Sequence, residues 1–322
     1  MKKKIAITIG EPGGIGPEVT LKALIDEEIK AETIPIVIGN KAVLKETIGL
    51  LNIPMKLNPI VSPDEATHGV INFIDIPCKG FQKSMPTEEG GRASFAFIKK
   101  GVELALKRDV HAIVTAPISK SALKMAGLSW HGHTEMIAEL TNTKDFRMML
   151  IGGTLRVILA TIHTALRNVP NMLSKDRVLK TILFAKRACH MLNIEEPNIG
   201  VAGLNPHAGE AGLFGDEEEV NISPAILKAK AQGINVSGPY PPDTVFFRAL
   251  RGEFDIVLAM YHDQGLIPIK LHAFEKGVNV TVGLPIIRTS PDHGTAYDIS
   301  WRAVANPSSM IEAIKLSLSL RL

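Results

Sequence analysis

The sequence predicts an α/β fold with a largely parallel sheet, built as two lobes, and three observations carry that prediction. Short β-branched runs alternate with longer amphipathic ones over the whole length. The chain has 322 residues, too many for one minimal domain and too few for three ordinary ones. Hydrophobic residues make up 45% and charged residues 21%, which supplies a core and excludes a disordered chain. No linker, internal repeat or low-complexity tract breaks the alternation, so one lobe is expected to interrupt the other in sequence.

In chain order, the runs Ile5–Ile9, Ile34–Ile38, Ala112–Thr115, Arg156–Ile162, Asn198–Ala202 and Asp255–Met260 read as buried strands, being short, apolar and bounded by turn residues. Between them, Pro17–Glu28, Gly90–Lys107, Ser174–Leu192, Glu217–Ala231 and Pro307–Leu320 carry helical periodicity, and several of them open on proline or follow Ser, Asp or Asn caps. A shorter helix is expected over Glu135–Leu140. The apolar runs Leu266–Leu271, Val278–Leu284 and Pro285–Ile287 read as further strands. Asn205–Asp216 (NPHAGEAGLFGD) reads as a loop, and loops at strand ends tend to carry function in such folds.

The net charge of +3 is spread along the chain and calls for neither a nucleic-acid nor a membrane partner. No apolar run approaches the roughly 20 residues that span a bilayer. Lys2-Lys3-Lys4 is followed by only a short apolar stretch before Gly10, so no export signal is expected. Cys78 and Cys189 have no partner motif, which suits a reducing, cytoplasmic setting.

Several groups could do chemistry. Gly10–Glu18 (GEPGGIGPE) is a glycine-rich strand-to-helix turn that permits close backbone approach to a ligand, yet it is neither a Walker loop nor a GxGxxG fingerprint. His163, His207 and His262 follow strand-like runs, and strand ends of an open α/β sheet converge on one edge. Three imidazoles there could hold a divalent metal with open positions, or could each be hydrogen-bonded structural groups. His133 and Thr134 open the Glu135–Leu140 helix, where an anion is favoured, although Thr134 could equally be an N-cap. Lys270, Asn279 and Arg288 lie among apolar runs, and the two cations need counter-ions: a phosphate would satisfy the Lys, the Arg and the amide together, and salt bridges to Asp or Glu would serve the cations separately.

Taken in order, GEPGGIGPE, GHTE, NPHAGE, YHDQGLIPIK and RTSPDHGTAYDI resemble the 4-hydroxythreonine-4-phosphate dehydrogenase family of vitamin B6 biosynthesis, from Gly10 to the C-terminal helix. GIGPE and His293–Pro307 are also distantly similar to isocitrate and isopropylmalate dehydrogenases. The resemblance implies a two-lobed α/β/α fold of that type rather than a Rossmann fold, with an active-site cleft between lobes. A cofactor-binding lobe would comprise residues 1–130 and 280–322, and a metal-binding, dimerisation lobe residues 131–279. It further implies a divalent metal (zinc, cobalt or magnesium) on His163, His207 and His262. Substrate would be bound by His133, Thr134, Lys270, Asn279 and Arg288, and Asp263 and Lys270 are the candidate catalytic groups. NAD would lie against Gly14, Thr289, Asp292, His293, Gly294, Thr295, Ala296 and Asn306. The implied reaction oxidises the C3 hydroxyl of 4-phosphonooxy-L-threonine and then decarboxylates the product, in a homodimer with shared active sites. Phosphorylated threonate or erythronate is the alternative substrate, and a non-catalytic metal- and phosphate-binding protein the alternative class. The chain departs from the pattern at Ser300-Trp301, where an Ala-Gly pair is expected.

Overall fold

The computed structural model describes residues 2–130 and 132–322. The chain forms two compact units, one containing the chain up to Lys144 together with Leu284–Leu320, the other Asp145–Gly283. In the first, the order is β1 (Lys3–Thr8), α1 (Gly16–Ala23), α2 (Glu27–Glu32), β2 (Thr33–Gly39), α3 (Lys41–Leu51), β3 (Leu57–Pro59), β4 (Ile71–Asp75), α4 (Glu88–Leu106), β5 (Ala112–Thr115), α5 (Lys120–Met125) and α6 (His133–Leu140). The second contains β6 (Arg147–Gly152), β7 (Leu155–Leu159), α7 (Val169–Met172), α8 (Lys175–Met191), β8 (Ile199–Ala202), α9 (Ser223–Ala231), β9 (Val236–Tyr240), α10 (Val245–Leu250), β10 (Ile256–Ala259), α11 (His262–Ala273) and β11 (Val278–Val282). The chain then returns to the first unit with β12 (Ile287–Pro291) and α12 (Ser308–Ser319).

Strands of the first unit lie in the order β3-β4-β2-β1-β5-β12, and every pairing among them is parallel. Parallel neighbours need helical crossovers, which α1 and α2 supply between β1 and β2, and α4 between β4 and β5. Ile5, Ala6 and Ile7 of β1 are wholly buried, as a strand covered on both faces requires. In the second unit the order is β11-β6-β7-β10-β8-β9. Here β7, β10, β8 and β9 run parallel, while β6 runs antiparallel to both β7 and β11. Its core gathers Leu159, Val257 and Ile269 around Phe254.

Leu266–Leu271 is helix rather than the expected strand, lying inside α11. Leu266 and Ile269 are buried while Ile267 and Leu271 are 57% and 85% exposed, a three-residue spacing that places one helical stripe inside. Pro17–Glu28 is two helices rather than one, because Asp26 accepts the Glu28 and Ile29 N–H groups at 3.1 Å and caps α2. Glu217–Ala231 begins as a π-helical turn over Glu218–Ile222 before α9. The units divide after Lys144 and Gly283, against expected divisions at 130/131 and 279/280, because α6 packs on α4 and so belongs with the first unit.

Both thiols are buried, and burial pushes each up to about 12, assisted by the Glu89 and Glu11 charges at Cys78 and by Asp255 at Cys189. Among the described residues, no helix is long and apolar enough to cross a membrane.

Candidate functional site

In the second unit, parallel pairing of β7 with β10 and of β10 with β8 brings together the ends from which His163, His262 and His207 project. Two side chains fix the spacing of those ends. Thr161 donates from its hydroxyl and its N–H to the Met260 carbonyl at 2.7 and 3.2 Å, tying β7 to β10. Gln264, buried, accepts the Met260 N–H at 2.6 Å and donates to the Gly203 carbonyl at 2.8 Å, tying β10 to β8.

The His163 and His262 rings are held with centroids 5.7 Å apart. They line a cavity of about 370 Å³ with Tyr261 and Asp263. Two imidazoles on one tetrahedral ion would stand with centroids about 5 Å apart, given nitrogen–metal bonds near 2 Å. This pair fits that requirement. Asp263 Oδ1 lies 2.6 Å from His262 Nδ1, so the carboxylate holds that side of the ring and leaves Nε2 for a ligand. His207 lies instead beside Phe214, with centroids 6.1 Å apart. Among the described residues of a single chain, no group of three or more His, Cys, Asp or Glu side chains is arranged to hold a metal ion.

Three of the nominated substrate residues lie in the first unit. His133 is the first residue of α6, and Thr134 is its buried second residue rather than an N-cap. The sealed Nε2 of His133 has no hydrogen-bond partner. Burial, and then the Arg288 charge, hold the imidazole well below its ordinary value against the opposing Ala116 carbonyl, so the ring is neutral at physiological pH. Arg288, on β12, is 2% exposed and donates from Nη2 and Nε to the Thr115 hydroxyl at 2.8 and 3.2 Å. Burial lowers its guanidinium to about 9, with the Glu135 carboxylate opposing, and it stays cationic at neutral pH. A buried cation beside a neutral imidazole suits an anionic ligand.

Lys270 and Asn279 belong to the second unit. Lys270, on α11, sits 5.4 Å above the Phe274 ring centroid. Asn279, on β11, has a buried Oδ1 without a hydrogen-bond partner.

The glycine-rich turn and the late loop meet within the first unit. Ile15 donates to the Thr295 carbonyl at 2.9 Å, and a Cβ on Gly14 would stand 3.0 Å from Thr295, so glycine is what permits the approach. The Ser300 hydroxyl donates to the Gly13 carbonyl at 3.0 Å, and the Trp301 indole N–H to the Pro12 carbonyl at 3.1 Å. Trp301 takes φ +59°, a conformation that suits glycine, and its ring meets Phe81 at 6.2 Å and the Lys83 ammonium at 4.5 Å. The departure from Ala-Gly therefore fastens the late loop to the turn.

Other nominated cofactor residues also make structural bonds. Thr289 donates its hydroxyl to Ala313 at 2.8 Å, Asn306 Oδ1 accepts the Ser308 N–H at 2.9 Å, and the Asp292 N–H meets the Ser309 hydroxyl at 3.2 Å. His293 Nδ1 lies 3.2 Å from the Gly294 carbonyl, Ala296 takes φ +41°, and open space surrounds the Gly294 position.

Glu11 is wholly buried in the glycine-rich turn, and neither carboxylate oxygen has a partner in hydrogen-bonding geometry. Burial raises its carboxyl to about 7, while the nearby Tyr297 hydroxyl and the Gly13 and Gly14 amides pull it back. Sequence reasoning did not single out Glu11, Thr161 or Gln264. An acid within a Gly/Pro turn, and a glutamine two residues beyond His262, were the available signals. A second cavity, about 330 Å³ around Ile34, Met55 and His68, contains none of the nominated residues.

The architecture is that of the isocitrate and isopropylmalate dehydrogenase-like two-lobed α/β proteins. An isocitrate dehydrogenase from Methylococcus capsulatus superposes with a TM-score of 0.50 at 13% identity, over 99% of this chain and 85% of that one, a likeness of fold alone. Residues 31–317 match the family described as pyridoxal phosphate biosynthetic protein PdxA, and the chain belongs to that family. It is 46% identical over 319 residues to a 4-hydroxythreonine-4-phosphate dehydrogenase from Desulforapulum autotrophicum, covering 97% of this chain and 94% of the relative. It is 45% identical over 326 residues to a D-threonate 4-phosphate dehydrogenase from Pectobacterium atrosepticum, covering 99% and 100%. The crystal structure of a 4-hydroxythreonine-4-phosphate dehydrogenase from Klebsiella pneumoniae superposes with a TM-score of 0.91 at 43% identity, over 99% of this chain and 98% of that one. The relatives are dehydrogenases, which supports an oxidoreductase and implies a nicotinamide cofactor.

Proposed function

We propose that this chain oxidises 4-phosphonooxy-L-threonine at its C3 hydroxyl with NAD and releases carbon dioxide to give 3-amino-2-oxopropyl phosphate, a step of pyridoxal phosphate biosynthesis. The observation that carries the reading is unmet polar capacity at positions the family motifs nominate: His133 Nε2 and Asn279 Oδ1 are buried without partners. Such groups cost stability unless a ligand satisfies them. Arg288 and Lys270 would take the phosphate and carboxylate, while neutral His133 and Thr134 hydrogen-bond the polar groups between them. That remote binding would position C3 against the nicotinamide.

His163, His207 and His262 would hold a divalent metal (zinc, cobalt or magnesium), which when bound supplies a Lewis acid for the substrate oxygen. Asp263, which holds the His262 ring through Nδ1, would take the hydroxyl proton, and Lys270 Nζ, a donor toward the substrate, would supply the proton to the carbon that loses carbon dioxide. NAD would lie on the turn at Gly14 and on Asp292, His293, Gly294, Thr295 and Ala296, with Thr289 and Asn306 shaping that loop from behind. The working unit in this reading is a homodimer with shared active sites. A single chain assembles only two of the three histidines, and the apolar residues Leu166, Leu213 and Phe214 near them are 66%, 71% and 46% exposed.

Near-equal identity to relatives named for two activities supports a second reading, in which phosphorylated D-threonate or erythronate is oxidised by the same groups. Side-by-side turnover of both substrates, followed by NADH absorbance, separates the readings. Binding of either without NADH formation would mark a non-catalytic binding protein, and full activity in verified metal-free enzyme would overturn the role of the three histidines.

A further inference from the structure

Six consecutive residues, His207 to Gly212, have φ values of +52, +54, +80, +42, +55 and +85°, and four of them carry a Cβ. L-residues enter this left-handed region as single residues, because Cβ crowds the following carbonyl, and a run persists only where its surroundings over-determine it. Glu218, the first residue of the π-helical turn and only 3% exposed, holds the residues that lead into this run. Its Oε1 accepts the N–H groups of Leu204 and Asn205 at 2.7 and 2.8 Å, and its Oε2 accepts the Asn205 side-chain amide at 2.9 Å. The same amide donates to Glu217 Oε2 at 2.7 Å, so two carboxylates grip one asparagine two residues before His207. Cβ atoms on Gly203 and Gly209 would stand 3.0 and 2.8 Å from the Glu218 oxygens, which wedges the carboxylate between the end of β8 and the left-handed turn.

We propose that Glu218 is the positioning residue of the His207 imidazole, holding the left-handed turn that presents this ring for metal binding. The assignment rests on the reading of His207 as a metal ligand. Glu218 itself is placed on neither metal nor substrate, and acts by fixing Leu204 and Asn205, the backbone that leads into the histidine, and by its close approach to Gly209 beyond it.

The test uses full-length protein stripped of metal and titrated with cobalt(II), whose visible absorption reports ligand number without turnover. Wild type, H207A, E218A, E218Q and E219A are compared, together with the thermal midpoint of each metal-free form. Glu219 is the exposed neighbouring acid and controls for lost charge. The expected result is at least tenfold weaker cobalt binding and an altered spectrum in H207A and E218A, substantial recovery in E218Q, which keeps an oxygen for the two backbone N–H groups, and no change in E219A. Should E218A fail to fold, E218Q carries the test: two- to tenfold weaker binding with a wild-type midpoint supports the assignment, and unchanged binding overturns it. Cobalt uptake by wild type, loss in H207A and no loss in E218A overturns the role of Glu218 alone. No uptake by wild type overturns the metal reading itself.

Discussion

Replacing Glu11 by glutamine should stabilise the protein by an amount that depends on pH. The wild-type carboxyl is wholly buried and raised from 4.5 to about 7, chiefly by burial. Each pKa unit corresponds to about 1.4 kcal/mol, so the ionised side chain costs about 3 kcal/mol in the folded state. A partial offset comes from α4: a Cβ on Gly90, in its first turn, would overlap a Glu11 oxygen, and a helix N-terminus favours an anion by up to about 1 kcal/mol. The net expectation is about 2 to 3 kcal/mol. Its sign follows from the raised value: the penalty is absent below about pH 4.5, grows between 4.5 and 7, and is complete above 7. Urea unfolding of both proteins at about pH 4.5, 6 and 8 would measure it, with the glutamine variant gaining on the wild type as pH rises. Any fixed cost of packing an amide cancels in the pH dependence. Two curves that stay parallel within about 0.5 kcal/mol would show that the Glu11 charge is stabilised by partners in the turn, and would refute the burial argument.

Gln264→Leu should cost about 2 to 3 kcal/mol, because it strands the Met260 N–H and the Gly203 carbonyl, and cobalt affinity should fall with it; urea unfolding and metal titration read the two effects. Trp301→Gly removes left-handed strain worth about 1 kcal/mol but loses the indole bond and the Phe81 and Lys83 contacts, for a net destabilisation of about 1 to 2 kcal/mol; a stabilised variant would show those contacts to be worth little. The His133 ring should show no protonation step between about pH 6 and 8 by proton NMR, since burial and Arg288 both hold it neutral there. A step in that range would mean water reaches the ring.

The regular strands were legible because short β-branched runs bounded by turn residues leave little else for the backbone to do: Ala112–Thr115 is β5 to the residue. β6 was not, since Arg147–Gly152 (RMMLIG) is poor in β-branched residues and is made a strand by pairing on both edges. Leu266–Leu271 shows the same limit in reverse, for a short apolar run has no period until packing chooses which residues to bury. Of the candidate site, residue types and strand-end positions could be read directly. Which nominated groups keep spare polar capacity could not, and Thr289 and Asn306 turn out to spend theirs on α12 and its approach.

By itself the sequence determined the α/β class, the non-Rossmann glycine-rich turn and the five ordered motifs that point to the family, because periodicity, turn chemistry and motif spacing are local properties of the chain. Only the tertiary structure decided that His163 and His262 face each other while His207 stands apart in a left-handed turn, that Trp301 seals the departure from the family pattern, and that Glu11 is buried with unmet oxygens. The physical reason is common to all of these. Burial and side-chain partnership are set by neighbours distant in sequence, and they change what a residue can do without changing what it is.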